Sequence, residues 1–228
     1  MIFEDFNLSR IVLELKYNDA FLYLDNCGAA LMEVRKNYPD WEVSEASVKL
    51  AVLKDKHRKM ELAFNNKSIR FTQDEVSSLN QFKKVSTRIA PIFLEKFQIE
   101  NFNRIGNRFL YHLPLKNVDE GQKIIEESGL IEIPQKKLSL FGEEFNKSSY
   151  IIYLKKGKEF QYRIEFLIIQ RIEPEEIMKK SEKFLPKCGL RIDVDAAIIK
   201  EVSAVDFPCD EFIQSNYKFL ENNLIKFI

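Results

Sequence analysis

In the run GLRIDVDAAI, Arg191, Asp193 and Asp195 stand at alternate positions. Successive side chains of a strand point to opposite faces, so these three share one face while Leu190, Ile192 and Val194 take the other. Carboxylates about 7 Å apart along a strand can hold a hard cation or divide acid and base roles. The plainer reading is a solvated strand face whose charges partly neutralise one another. It takes precedence because the sequence places no further converging ligands.

A second constellation lies in NRIGNRFLYH, Asn103–His112. Arg104 and Arg108 share strand parity, with Ile105, Asn107, Phe109 and Tyr111 on the other side. Gly106 inside a strand pattern marks a bulge or a close approach. Paired arginines beside a histidine suit a phosphate or a carboxylate. They suit equally well the glutamates of a neighbouring strand, and that structural role is the favoured one.

Two basic hairpin tips complete the set: Lys54, Lys56, His57, Arg58 and Lys59 in one, and Lys155, Lys156 and Lys158 in the other. Placed on one side of the molecule, they would form a nucleic-acid patch. Charged turns are more often only solvated, and no aromatics interleave here for base stacking. His57 and His112 have no partner at metal-ligand spacing. Cys27 falls on an apolar helical stripe and reads as core, not nucleophile. The chain has no GxxxxGK[ST], GxGxxG, HExxH, GxSxG or paired CxxC. No cofactor and no metal is therefore expected.

Composition bounds these options. The chain has 228 residues, 35 Lys+Arg against 35 Asp+Glu, and 45% hydrophobic residues. Zero net charge excludes bulk polyanion binding but not a local patch. Seven glycines and two histidines leave little material for phosphate loops or histidine metal sites. Three widely spaced cysteines, Cys27, Cys188 and Cys209, fit a reduced interior. Acids among the first ten residues argue against a leader, and no apolar run reaches the roughly 18–20 residues of a spanning helix. A cytoplasmic protein without membrane contact is the expectation.

The elements that must position these residues follow from periodicity. A β-rich run over 10–16 precedes a helix carrying Leu24, Cys27, Leu31, Val34 and Tyr38, with Asn18 or Asp19 as cap and Pro39 as stop. Strands are expected at Ser47–Leu53, Met60–Phe64 and Ser68–Phe71. A helix over 78–98 then sets Phe82, Val85, Ile89, Phe93 and Phe97 on one side, with a kink or break at Pro91. The second half reads as a strand Phe102–Leu113, then a short helix capped by Asn117 and ended at Gly129. Strands at Lys137–Phe141, Ser149–Leu154 and Glu159–Gln170 follow. A helix from Pro174 to Pro186, a strand Leu190–Ile199 and a last helix capped by Asp206 close the chain. That helix carries Phe212, Ile213, Tyr217, Leu220, Leu224 and Phe227.

Read in order, both halves begin β-α-β-β-β-α, which points to an α+β fold of two similar units. Each would be an antiparallel sheet with helices on one face. The halves would divide as residues 1–101 and 102–228, packed as one globular unit, and the missing linker favours one continuous sheet.

The chain also resembles a sporadically distributed family of uncharacterised prokaryotic proteins with an RIGLRYIN-like middle motif, a DxD strand and a C-terminal helix rich in Phe and Asn. Arg104-Ile105-Gly106 and Arg108-Phe109 fit the first, Asp193-Val194-Asp195 the second and Phe219–Phe227 the third. Asn107 replaces a hydrophobic residue of the motif, and Tyr111 stands where Asn is expected. The resemblance carries no activity; its patchy distribution implies a defence-linked or toxin–antitoxin-like setting.

The leading functional expectation is a non-enzymatic binding or assembly protein with a protein partner or a second copy of itself, touching through its terminal helices. A nucleic-acid-binding protein using the basic tips with Arg104 and Arg108 is the alternative. A metal-dependent enzyme centred on Asp193 and Asp195 is the third.

Overall fold

Runs of period two fold as strands and runs of period 3.6 as helices. The computed structural model describes residues 3–129, 149–156, 159–170 and 188–227. The first part contains β1 (Asn7–Lys16), α1 (Leu22–Asn37), β2 (Glu42–Ala46), β3 (Ala51–Asp55), β4 (Met60–Phe64), β5 (Ser68–Asp74) and α2 (Leu79–Phe97). The second contains β6 (Asn101–Phe102), β7 (Arg104–Pro114), α3 (Val118–Glu127), β8 (Ser149–Lys156), β9 (Phe160–Gln170), β10 (Cys188–Ile198), β11 (Val202–Ser203) and α4 (Cys209–Asn223).

Nine of the described strands form one antiparallel sheet in the order β2-β3-β4-β5-β1-β7-β10-β9-β8, and β6 pairs with β11 apart from it. The seam between the halves is β1 against β7, running from Asn7 opposite His112 to Lys16 opposite Arg104. The fold is thus α+β with a continuous sheet. Outward from the seam the order is β1-β5-β4-β3 on one side and β7-β10-β9-β8 on the other. The first side bears the additional edge strand β2, so that half reads β-α-β-β-β-β-α. The expected pair of like β-α-β-β-β-α units misses this strand for a physical reason: every residue of β2 is exposed, so no apolar alternation marks it.

The four described helices lie on one face. Phe64 of β4 meets Phe93 of α2 at a ring separation of 4.4 Å and Tyr23 of α1 at 6.1 Å. On the other half, Phe109 faces Tyr217 of α4 at 6.2 Å and Tyr162 stacks on Phe219 at 4.7 Å. Gly121 of α3 sits on Ile168 of β9. Between these layers Ile11, Leu13, Phe71, Leu190, Ile192 and Val194 are buried. The described helices bury this face, and the polar alternates of the strands take the other.

The helices expected over 78–98 and after Asn117 are α2 and α3. Ser78 caps α2 by accepting from the Gln81 amide, and Gln98 ends it in the left-handed region at φ 52°. Asn117 caps α3 through the Glu120 amide, and Gly129 follows at φ 65°. Pro91 does not break α2, whose buried stripe from Phe82 to Phe97 runs through it.

Other expectations need correction. Asn18 and Asp19 do not cap α1, which starts after Phe21; their side chains accept instead from Asn103 and Asn66. Leu24 is exposed, and Tyr23 takes the inward position. Ser47 closes a turn onto Leu50, so the strand begins only at Ala51. Asp206 accepts from the Ser203 hydroxyl, and α4 starts behind Pro208 without a side-chain cap. The expected strand Lys137–Phe141, the helix from Pro174 to Pro186 and the Phe227 side chain lie outside the described residues. Among the described residues no helix is long and apolar enough to cross a membrane.

Candidate functional site

On the open face the strand registers bring polar alternates together. Val12 of β1 lies opposite Thr72 of β5 and Arg108 of β7, and Glu14 lies opposite Arg70 and Gly106. Asp195 of β10 sits between Arg108 and Arg163 of β9. Val12, Thr72 and Gly106 make a low floor, and the longer charged chains rise around it. The result is an open cleft of about 450 Å³ whose wall includes Arg10, Arg70, Arg104, Arg108 and Arg163 together with Glu14, Glu61, Asp74 and Asp195.

Arg104 is held at both ends of its guanidinium. Nη1 donates to Glu14 at 2.9 Å and Nη2 to Asp195 at 2.7 Å, joining β1, β7 and β10. The guanidinium lies directly over Gly106, where an added Cβ would stand 2.5 Å from Nη1. The glycine is therefore a close approach, made by a side chain. It is not a bulge, since the β7–β10 register runs unbroken from Ile105 to Pro114.

Arg108 donates from Nε to Asp193 at 2.7 Å and from Nη2 to the second carboxylate oxygen. The Asp193 side chain is 1% exposed and that of Arg108 is 51% exposed. A buried carboxylate thus anchors a solvent-facing arginine from beneath, and its hydrogen bonds hold the Arg108 guanidinium in its charged form, above its ordinary range. Because Nε and Nη2 are the bonded groups, Nη1 remains available to a ligand.

Burial raises the Asp195 carboxyl above the usual carboxylate value, against the lowering effect of Arg104 and Arg108. The folded state therefore binds this proton more tightly than the unfolded chain. Stability from this group is complete below the ordinary Asp range and is lost as pH rises through the raised value. The Asp195→Asn variant is expected to lack that fall; thermal unfolding of both proteins across acidic to neutral pH checks it, and parallel curves would refute the assignment.

The remaining sequence candidates divide. Arg191, Asp193 and Asp195 share one face, as period two requires. Arg191, however, leans to Glu165 at 3.8 Å and lines a neighbouring hollow with His112 and Ser9, away from the cleft. Both aspartates are occupied by guanidinium groups, and among the described residues no three His, Cys, Asp or Glu converge as a metal set. A cation at Asp193 would have to displace Arg108.

The described parts of the two basic tips lie at opposite ends of the sheet. In the β3–β4 turn, Lys54 pairs with Glu61, Lys56 with Glu42, Arg58 with Asp55 and Lys59 with Glu75. Asp55, buried, organises that turn by accepting the His57 and Arg58 amides at 3.0 and 2.9 Å. The register places this turn beyond Met60, at the end of the sheet where β1 begins. The β8–β9 end with Lys155 lies where β7 begins, five strands away, on the order of 25 Å laterally. Lys158 and the Lys156 side chain lie outside the described residues.

Cys188 and Cys209 are buried and Cys27 is half-buried. Burial raises Cys27 and Cys188 and pushes Cys209 up to about 12, so all three stay protonated at neutral pH.

Sequence reading missed Arg10, Glu14, Glu61, Arg70, Asp74 and Arg163 as cleft residues. The available signal was the alternation Arg10, Val12, Glu14, Lys16 opposite Ile11, Leu13, Leu15. It shows a polar face but not which strand stands next to it. No protein-family model matches the chain, and no curated protein matches it.

Proposed function

We propose that the protein is a non-enzymatic binding protein that takes an oxyanion, phosphate or carboxylate, of its partner into the cleft on the open sheet face. The observation that carries this reading is the mounting of Arg104 and Arg108. Each guanidinium is fixed by carboxylates at its base, across Gly106 or over buried Asp193, before any ligand arrives. Fixing the donors in advance removes the ordering cost that a free arginine would carry on binding. A planar guanidinium also matches an oxyanion in a way an ammonium does not.

The motif likeness supports the same positions. The RIGLRYIN-like and DxD segments meet in the Arg108–Asp193 and Arg104–Asp195 pairs. The described wall of the cleft is arginine, carboxylate, valine, threonine and glycine. That composition suits holding an anion more than transforming it. The nucleic-acid alternative loses weight because its basic turn is already neutralised residue by residue.

Calorimetry with inorganic pyrophosphate and with citrate at low ionic strength tests the reading. Binding of at least one, weakened about tenfold or more in Arg104→Gln, is expected for loss of a charge-assisted bond pair. Heat-silent titrations with both probes, on protein that unfolds cooperatively, would overturn it.

A further inference from the structure

α1 carries apolar residues on both of its long faces. Tyr23, Ala30, Leu31 and Val34 are buried beneath it. Its outward side carries Phe21, Leu24, Gly28, Ala29 and Met32, with Phe21 81%, Leu24 59% and Met32 67% exposed. The neighbouring α2 behaves differently, turning Asn80, Lys84, Thr87, Arg88 and Glu95 to solvent. A surface helix normally has a polar outer side, and a cluster of large apolar side chains this exposed is the kind of surface a partner covers. A Cβ on Gly28 would meet nothing within 4 Å, so none of the described residues demands a glycine there.

The charges on the same outward side name the occupant. Asp25 stands in the first turn of α1, and Arg35 and Lys36 stand in the last. We propose that this face docks on a second copy of the same chain, α1 against α1, antiparallel about a two-fold axis at Gly28 and Ala29. Leu24 then packs on Met32 of the second copy, and by symmetry Met32 on its Leu24. Asp25 of each copy comes within one helical turn of the other's Arg35 and Lys36. The two small residues at the crossing let the backbones approach closely. A parallel pairing would instead set Asp25 against Asp25 and Arg35 against Arg35, and like charges oppose it. One helix face is a small interface, so the dimer is expected to dissociate on the order of 10 μM.

Sedimentation of the full chain over a wide concentration range tests this. A monomer–dimer equilibrium is expected, shifted to monomer by Met32→Glu. Asp25→Lys alone and the pair Arg35→Glu with Lys36→Glu alone are each expected to be monomeric, and mixing the two proteins restores a dimer. These side chains are exposed, so unchanged far-ultraviolet dichroism serves as the folding control. A wild type that stays monomeric at the highest concentration would overturn the proposal, even if it captures some other protein. So would a dimer indifferent to the charge reversals, or charge-reversed proteins that fail to associate when mixed.

Discussion

Replacing Arg108 with methionine is expected to destabilise the protein by about 2–4 kcal/mol, because it leaves the Asp193 carboxylate buried without its cation. Exposure decides the size of the effect. An ion pair with both members in water is worth about 0–1 kcal/mol, but here the carboxylate is 1% exposed while the arginine is half in solvent. Taking away the exposed partner therefore strands the buried one. The reverse order of removal is milder. With Asp193→Val, Arg108 can turn to water, and the strand gains a β-branched residue. The double variant Arg108→Met with Asp193→Val is expected to recover most of the loss, since no buried charge then remains. Urea unfolding midpoints of the four proteins make the cycle. If the double variant loses the sum of the single losses, the two residues do not act as a pair.

Replacing Gly106 with alanine is expected to reduce oxyanion affinity about tenfold or more while changing stability little. The added Cβ would stand 2.5 Å from Arg104 Nη1, so the guanidinium must leave its place over β7. Leaving it breaks the bonds to Glu14 and Asp195. Their loss costs about 1–2 kcal/mol at a partly exposed site. Against this, an alanine at an ordinary strand φ restricts the unfolded chain, which stabilises by about 0.4–1 kcal/mol. The two nearly cancel in stability but not in binding. Pyrophosphate or citrate titration beside thermal unfolding separates them. Unchanged affinity in Gly106→Ala would show that Arg104 is not a ligand-holding residue, whatever its effect on the fold.

Both expectations concern residues that stand out in the sequence, but for incomplete reasons. Gly106 is conspicuous because glycine weakens strands; that its neighbour is the side chain two residues earlier is invisible without the rotamer of Arg104. Asp55 illustrates the opposite case. It reads as one acid beside a basic turn, and folding makes it the buried centre of that turn. β2 has no buried alternation to mark it; Asn18 and Asp19 do not cap α1 because their partners Asn103 and Asn66 come from distant segments, and Asp206 is taken by nearby Ser203 instead of capping α4.

What the amino-acid sequence alone determined is which face each strand residue takes. Period two sends Arg104, Arg108, Asp193 and Asp195 to the side opposite the apolar core, whatever the strand order, because a slip of one residue would bury charge and expose the core. Local capping at Ser78 and Asn117 is determined in the same way, over three residues. Only the tertiary structure decided who stands beside whom. Arg108 and Asp193 are 85 residues apart, Arg104 and Glu14 90, and Arg104 and Asp195 91. Their meeting depends on β1, β7 and β10 lying side by side, a choice set by how the whole sheet buries its apolar face. No local pattern carries that information, and the cleft exists only once the choice is made.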